Sequence, residues 1–92
     1  MSRYARKRDA NEREIIEALR GFGCVVIQEE HIDLWVLPPH LPYWIPLEVK
    51  TKTGKLTAYQ RKLHDQLDSN YGYKIAVVTT AEEALKAVGI MQ

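Results

Sequence analysis

The sequence predicts a single α/β domain of order α-β-β-β-α-β-α, a four-stranded mixed sheet flanked by helices. Three observations predict it. A capping residue followed three positions later by Glu or Gln occurs at Asp9/Glu12, Thr57/Gln60 and Thr80/Glu83, each ahead of a helical pattern. Between these lie the short runs "CVVI", "HIDLWVL", "WIPLEVK" and "KIAVVT", rich in β-branched and aromatic residues. The first three runs are joined by short links and should form an antiparallel meander. A helix separates the third from the fourth, enough chain for a parallel, right-handed crossover. With 92 residues, the chain supports one modest core and no second one.

The elements follow in order. The first helix runs from about residue 10 to 20, with Ile15, Ile16 and Leu19 on one face, and ends at Gly21 and Gly23. Residues 24–27 form the first strand and 31–37 the second, with the turn around Glu29 and Glu30. "PPHLP", residues 38–42, is a loop, since proline suits neither strand nor helix interiors. Residues 44–50 form the third strand. Pro46 has no amide donor, so that part of the strand should lie at an edge or a bulge. Gly54 makes a turn, and the second helix runs from its Thr57 cap to about residue 68, with Leu63, Leu67 and Tyr59 as its apolar stripe. "NYGY" is a turn, 74–79 is the fourth strand, and the last helix stops at Gly89.

The net charge is only +1, but it is unevenly spread. Residues 1–8, a basic flexible arm, carry Arg3, Arg6, Lys7 and Arg8 and no acid; 9–92 is the single folded domain. Residues 49–64 carry Lys50, Lys52, Lys55, Arg61 and Lys62 and again no acid, while the stretch between is acidic. A basic arm and loop around an acidic centre suit a polyanion held over a metal site. A flexible tail and a solvated loop produce the same pattern. Cys24 stands alone, so no internal disulfide is expected, and we read it as a small core residue. No apolar run approaches membrane-spanning length, and residues 1–8 lack the hydrophobic segment of a signal peptide. The expected compartment is the cytoplasm.

Certain charges stand where apolar residues are expected. Side chains alternate along a strand, so Glu48 and Lys50 share one face of the third strand, while Leu47 and Val49 share the other. Asp33 shares a face with Trp35 and Leu37 and can meet Glu48 if the register allows. Glu12 precedes Ile15, Ile16 and Leu19 at helical spacing, which places it on the apolar stripe, facing the sheet. Glu14 and Glu17 lie off that stripe. Glu12, Asp33 and Glu48 can therefore converge with Lys50 beside them. Clustered carboxylates repel one another, and a hard divalent cation relieves the repulsion. With a lysine to steady an attacking water and phosphate charge, this outlines metal-assisted phosphodiester hydrolysis. Each residue also has a plainer reading. Glu48 and Lys50 can be a surface ion pair, Asp33 a turn residue, and Glu12 the acid of a capping box.

The pattern resembles the PD-(D/E)XK nuclease superfamily and, within it, the stand-alone VRR-Nuc (virus-type replication-repair nuclease) domains of phages and prophages. "NEREIIEALRGFGCVV", "IDLWVL", "LEVKTKTGKLTAYQRKLHDQL" and "YKIAVVTTAEEALKAVG" carry the likeness. The resemblance implies a restriction-endonuclease-like fold and similarity to Holliday-junction resolvases. It implies that Asp33, Glu48 and the Val49 carbonyl hold Mg²⁺ or Mn²⁺, and that Lys50 is the catalytic lysine. Glu12 would be the helix-one acid. Gln60 would support the site or contact the backbone, a role that stands beside pure capping. Arg3, Arg6, Arg8, Lys52, Lys55 and Lys62 would bind nucleic acid. The implied activity is structure-selective cleavage of branched DNA in replication, repair or recombination by a homodimer, with "PPHLPYW" and Trp35 as apolar dimer surface or as cover for this domain's own core. No chemistry is given to Thr57, Tyr59 or His64. His31 is two residues from Asp33, on the same side of the strand, and is either a residue that touches the site or, the preferred reading, a surface turn residue. Family members carry a Gly and a Pro just before the aspartate, whereas here Glu30, His31 and Ile32 precede Asp33. A non-catalytic nucleic-acid-binding module on the same fold, or a nuclease acting on RNA, are the alternatives.

Overall fold

The structure is a computed structural model that describes residues 10–92. The basic arm, with Arg3, Arg6 and Arg8, and the Asp9 cap lie outside the described residues. The elements are α1 (Ala10–Gly21), β1 (Val25–Gln28), β2 (Leu34–Leu37), β3 (Ile45–Val49), α2 (Ala58–Tyr71), β4 (Ala76–Val78) and α3 (Ala81–Ala87). The strands pair in chain order, β1-β2 and β2-β3 antiparallel, β3-β4 parallel. This is the expected α-β-β-β-α-β-α arrangement with a mixed sheet.

Local chemistry explains the element ends. Thr57 and Thr80 both make full capping boxes, with Gln60 and Glu83 as reciprocal partners. All three helices close alike: Gly23, Gly72 and Gly89 have φ of 90°, 72° and 80°, a region that favours glycine. The amides of Cys24, Tyr73 and Ile90 then return to the carbonyls of Leu19, Leu67 and Leu85. Because Gly72 closes α2, Asn70 and Tyr71 are its last helical residues rather than part of a turn, and α2 outruns the expected end at 68.

Pairing decides the strand lengths. The second strand begins at Leu34 rather than at residue 31, because Glu29 folds the preceding residues into a tight turn. Its amide donates to the Asp33 carbonyl, and its Oε1 accepts from the His31 and Ile32 amides at 3.0 and 2.9 Å. The ladder with β4 covers only Leu47–Val49, so Pro46 lies where β3 has a neighbour on one side. That satisfies its missing donor, as expected.

The sheet separates two layers. Val26, Leu34, Val36, Leu47, Val49 and Val78 form its inner face and pack with Ile15, Ile16 and Leu19 of α1 and Ala84, Leu85 and Val88 of the α3 end. Cys24 is a buried, free member of this core, and burial pushes its thiol pKa up. The outer face carries Val25, Ile27, Trp35, Leu37, Glu48 and Val77, and α2 crosses it. No residue of α2 is buried: Leu63 and Leu67 are only half-buried and Tyr59 is exposed, so the expected apolar stripe is weak. Tyr73, just past α2, meets Trp35 edge-on at 6.4 Å between ring centroids. In "PPHLPYW", Pro38 is buried, Leu41 and Trp44 are half-buried, and Tyr43 is exposed. Among the described residues, no helix is long and apolar enough to cross a membrane.

Candidate functional site

Among the described residues, the buried charged side chains are Glu12, Asp33 and Glu48, at 4%, 6% and 0% exposure. These are the three acids that the sequence places against the sheet. Glu14 and Glu17 are exposed. Burying a carboxylate is costly unless it is hydrogen-bonded or paired, so each of the three requires a structural account.

Asp33 and Glu48 belong together. The β2-β3 ladder pairs Leu34 with Leu47, and one further step sets Asp33 opposite Glu48. Asp33 Oδ2 accepts the Val49 amide at 2.9 Å. In a strand the N–H and C=O of one residue point to the same neighbour, so the Val49 carbonyl turns toward the Asp33 side as well. Lys50 follows on the Glu48 face by alternation and is half-buried.

Glu48 is held from α2. Gln60 Nε2 donates to its Oε2 at 3.1 Å, and His64 Nε2 lies 3.1 Å from its Oε1. The same Gln60 accepts the Thr57 amide through Oε1 at 2.9 Å. One side chain thus serves as both the capping partner and the support of the site, the two roles that the sequence left open. Burial pushes the His64 pKa down, with Asp65 and Asp33 pulling it up and the Lys50 ammonium pushing it down. A neutral imidazole facing a carboxylate, which only accepts, carries its proton on Nε2.

His64 is the residue that sequence reasoning missed. Its spacing four residues after Gln60, on one helix face, was the available signal. Glu29, expected as a turn residue, builds the turn that leads into Asp33 through its carboxylate, a contact the sequence reading did not foresee. Burial alone would raise its carboxyl pKa, but the Ile32 and His31 amides outweigh that and hold it below the usual value. Tyr59 also reaches this loop, with its hydroxyl 2.8 Å from His31 Nδ1.

Glu12 approaches differently from the expectation. Helix α1 covers the inner face, with Leu47 and Val49, whereas Glu48 is on the outer face under α2. Glu12 accepts from Gln28 Nε2 at 3.2 Å, at the end of β1 beside the Asp33 turn. It therefore sits at the correct end of the sheet but in the other layer. Its neighbour Asn11 reinforces that end: Asn11 Nδ2 donates to the carbonyls of Lys50 and Thr79 at 3.0 and 2.6 Å.

The basic residues divide. Lys52 and Lys55 are exposed on the loop between Lys50 and α2. Lys62 is two residues from both Gln60 and His64, which puts it on the far side of α2, away from Glu48.

Among the described residues, no group of three or more His, Cys, Asp and Glu side chains gathers as a metal site. The two-carboxylate set of Asp33 and Glu48 still suits Mg²⁺ or Mn²⁺. Mg²⁺ takes one or two carboxylates and completes its shell with waters and substrate phosphate. A carboxylate oxygen carries two lone pairs, so a hydrogen bond to it is compatible with a cation at the same carboxylate. Comparison with protein-family models, with curated proteins and with solved structures finds no match.

Proposed function

We propose that the protein is a metal-dependent phosphodiesterase acting on nucleic acid. More narrowly, it is a structure-selective DNA endonuclease of the VRR-Nuc kind within the PD-(D/E)XK superfamily, cleaving branched DNA such as Holliday junctions. The observation that carries this reading is the buried pair Asp33 and Glu48 on facing strand ends, with Lys50 next along the same face. Such a pair has no need to be buried in a module that only binds.

In this reading Asp33 and Glu48 hold Mg²⁺ or Mn²⁺, with the Val49 carbonyl beside them. When bound, the ion supplies Lewis acidity toward the phosphate and activates a water. Lys50 donates from its ammonium to a phosphate oxygen and steadies the incoming water. Gln60 keeps the Glu48 carboxylate aimed. Lys52 and Lys55 meet the phosphate backbone next to the site, joined by Arg3, Arg6 and Arg8 of the arm, with Lys62 contributing farther away. The cell compartment is the cytoplasm of a bacterial or phage-infected cell. Two copies pair, since symmetric cleavage of a junction needs two sites. Val25, Ile27 and Val77 on the outer face are about half exposed, at 53%, 49% and 47%, and support an apolar pairing surface.

The test is incubation of labelled four-way junctions, flaps, duplexes and matched RNAs with and without Mn²⁺. Metal-dependent cleavage lost in Asp33→Ala, Glu48→Ala and Lys50→Ala is expected. Cleavage that survives all three overturns the site, and salt-sensitive binding without turnover favours a binding module.

A further inference from the structure

The attachment of α2 to the sheet is unusual. None of its fourteen residues is buried, so apolar burial contributes little to holding it in place. Two of its contacts with the sheet are polar and converge on one carboxylate. Gln60 and His64, one helical turn apart, approach different oxygens of Glu48, both at 3.1 Å. Glu48 is fully buried at 0% exposure, so water does not share the task of solvating it. The two donors fix the plane and the direction in which the carboxylate would face a cation.

We propose that His64 is a positioning residue for Glu48, and that seating of α2 and binding of a divalent cation at Asp33 and Glu48 are one linked equilibrium. This rests on the nuclease reading above. Linkage is reciprocal: if a seated helix presents Glu48 better to the cation, the bound cation must favour the seated helix by the same factor. Hydrogen-bonded partners of a ligating side chain commonly set its orientation in this way. His64 acts through Nε2–H, so what counts is a donor at that point and not the bulk of the ring.

The experiment uses the full chain. Wild type, His64→Phe and His64→Gln are titrated with Mn²⁺ by calorimetry, and amide exchange of residues 58–71 is followed with and without Mn²⁺. Phe keeps a ring without the donor, whereas Gln supplies an amide N–H at similar reach. His64→Phe should weaken Mn²⁺ binding by about tenfold or more, and His64→Gln should stay within a few-fold of wild type. Mn²⁺ should slow exchange across α2 in wild type and not in His64→Phe. Imidazole ¹⁵N spectra of the wild type should show the Nε2-protonated tautomer. Equal Mn²⁺ affinity in wild type and His64→Phe, equal losses in both variants, or an Nδ1-protonated imidazole overturns the inference and leaves the nuclease reading standing. A wild type that binds no Mn²⁺ overturns both.

Discussion

Asp33 Oδ2 accepts the main-chain amide of Val49 at 2.9 Å, across the open end of the β2-β3 ladder. The aspartate thus continues the sheet with its side chain where the backbone pairing stops. Asp33→Ala leaves a buried amide without that acceptor, at a cost of about 1–3 kcal/mol. Asp33→Asn keeps an acceptor oxygen and should lose less than half as much stability in urea denaturation. Both variants should lose Mn²⁺-dependent cleavage, since the amide lacks the charge.

The Glu29 turn gives a pH prediction. The folded carboxyl has a pKa below its ordinary value of 4.5. The unfolded chain therefore binds the proton more readily, and the stabilisation is present above 4.5 and lost as pH falls through the lower folded value. Melting temperature measured from neutral to acid pH should fall more steeply in wild type than in Glu29→Gln over that window. At neutral pH, Glu29→Ala should cost about 1 kcal/mol.

Gln60 separates capping from site support. Gln60→Glu retains an acceptor for the Thr57 amide but sets a second carboxylate against Glu48, where Nε2 now donates at 3.1 Å. Far-UV helicity should be retained while cleavage falls. Gln60→Ala removes both contacts and should also destabilise the helix start by about 0.5–1 kcal/mol. Equal activity in wild type and Gln60→Glu would refute the contact with Glu48 as functional.

The two faces of the sheet should respond unequally to truncation. Leu34 is fully buried on the inner face, at 0% exposure, while Ile27 on the outer face is 49% exposed. Leu34→Ala should cost about 2–5 kcal/mol, the range for a core leucine. Ile27→Ala should cost the isolated subunit under about 1 kcal/mol, and light scattering should show it weakening self-association if the outer face pairs two copies.

Asn11 ties the first turn of α1 to the ends of β3 and β4 through the carbonyls of Lys50 and Thr79. Asn11→Ala should lower stability by about 1–2 kcal/mol. It should also speed amide exchange at the β3 end more than in the β1-β2 hairpin.

Much of this was legible in the sequence because it depends on local chemistry. Capping boxes at Thr57 and Thr80 involve four residues each, glycine closes each helix, and alternation puts Glu48 and Lys50 on one face wherever the strand lies. The spacing of Glu12 to Ile15, Ile16 and Leu19 was enough to predict a buried acid. What the sequence did not decide was which layer each face met. Periodicity gives the relative direction of side chains within one element and says nothing about which helix covers which side of the sheet. Only the tertiary structure put α1 on the Leu47 and Val49 face, leaving Glu12 against Gln28, and laid α2 over Glu48, bringing His64 and Gln60 to its two oxygens. The turn at Glu29 and Glu30 was legible, but the Glu29 carboxylate's capture of the His31 and Ile32 amides was not, because such a contact follows no repeating pattern. The sequence determined the elements and the acids to be buried; packing of two layers around one sheet decided which partners those acids would have.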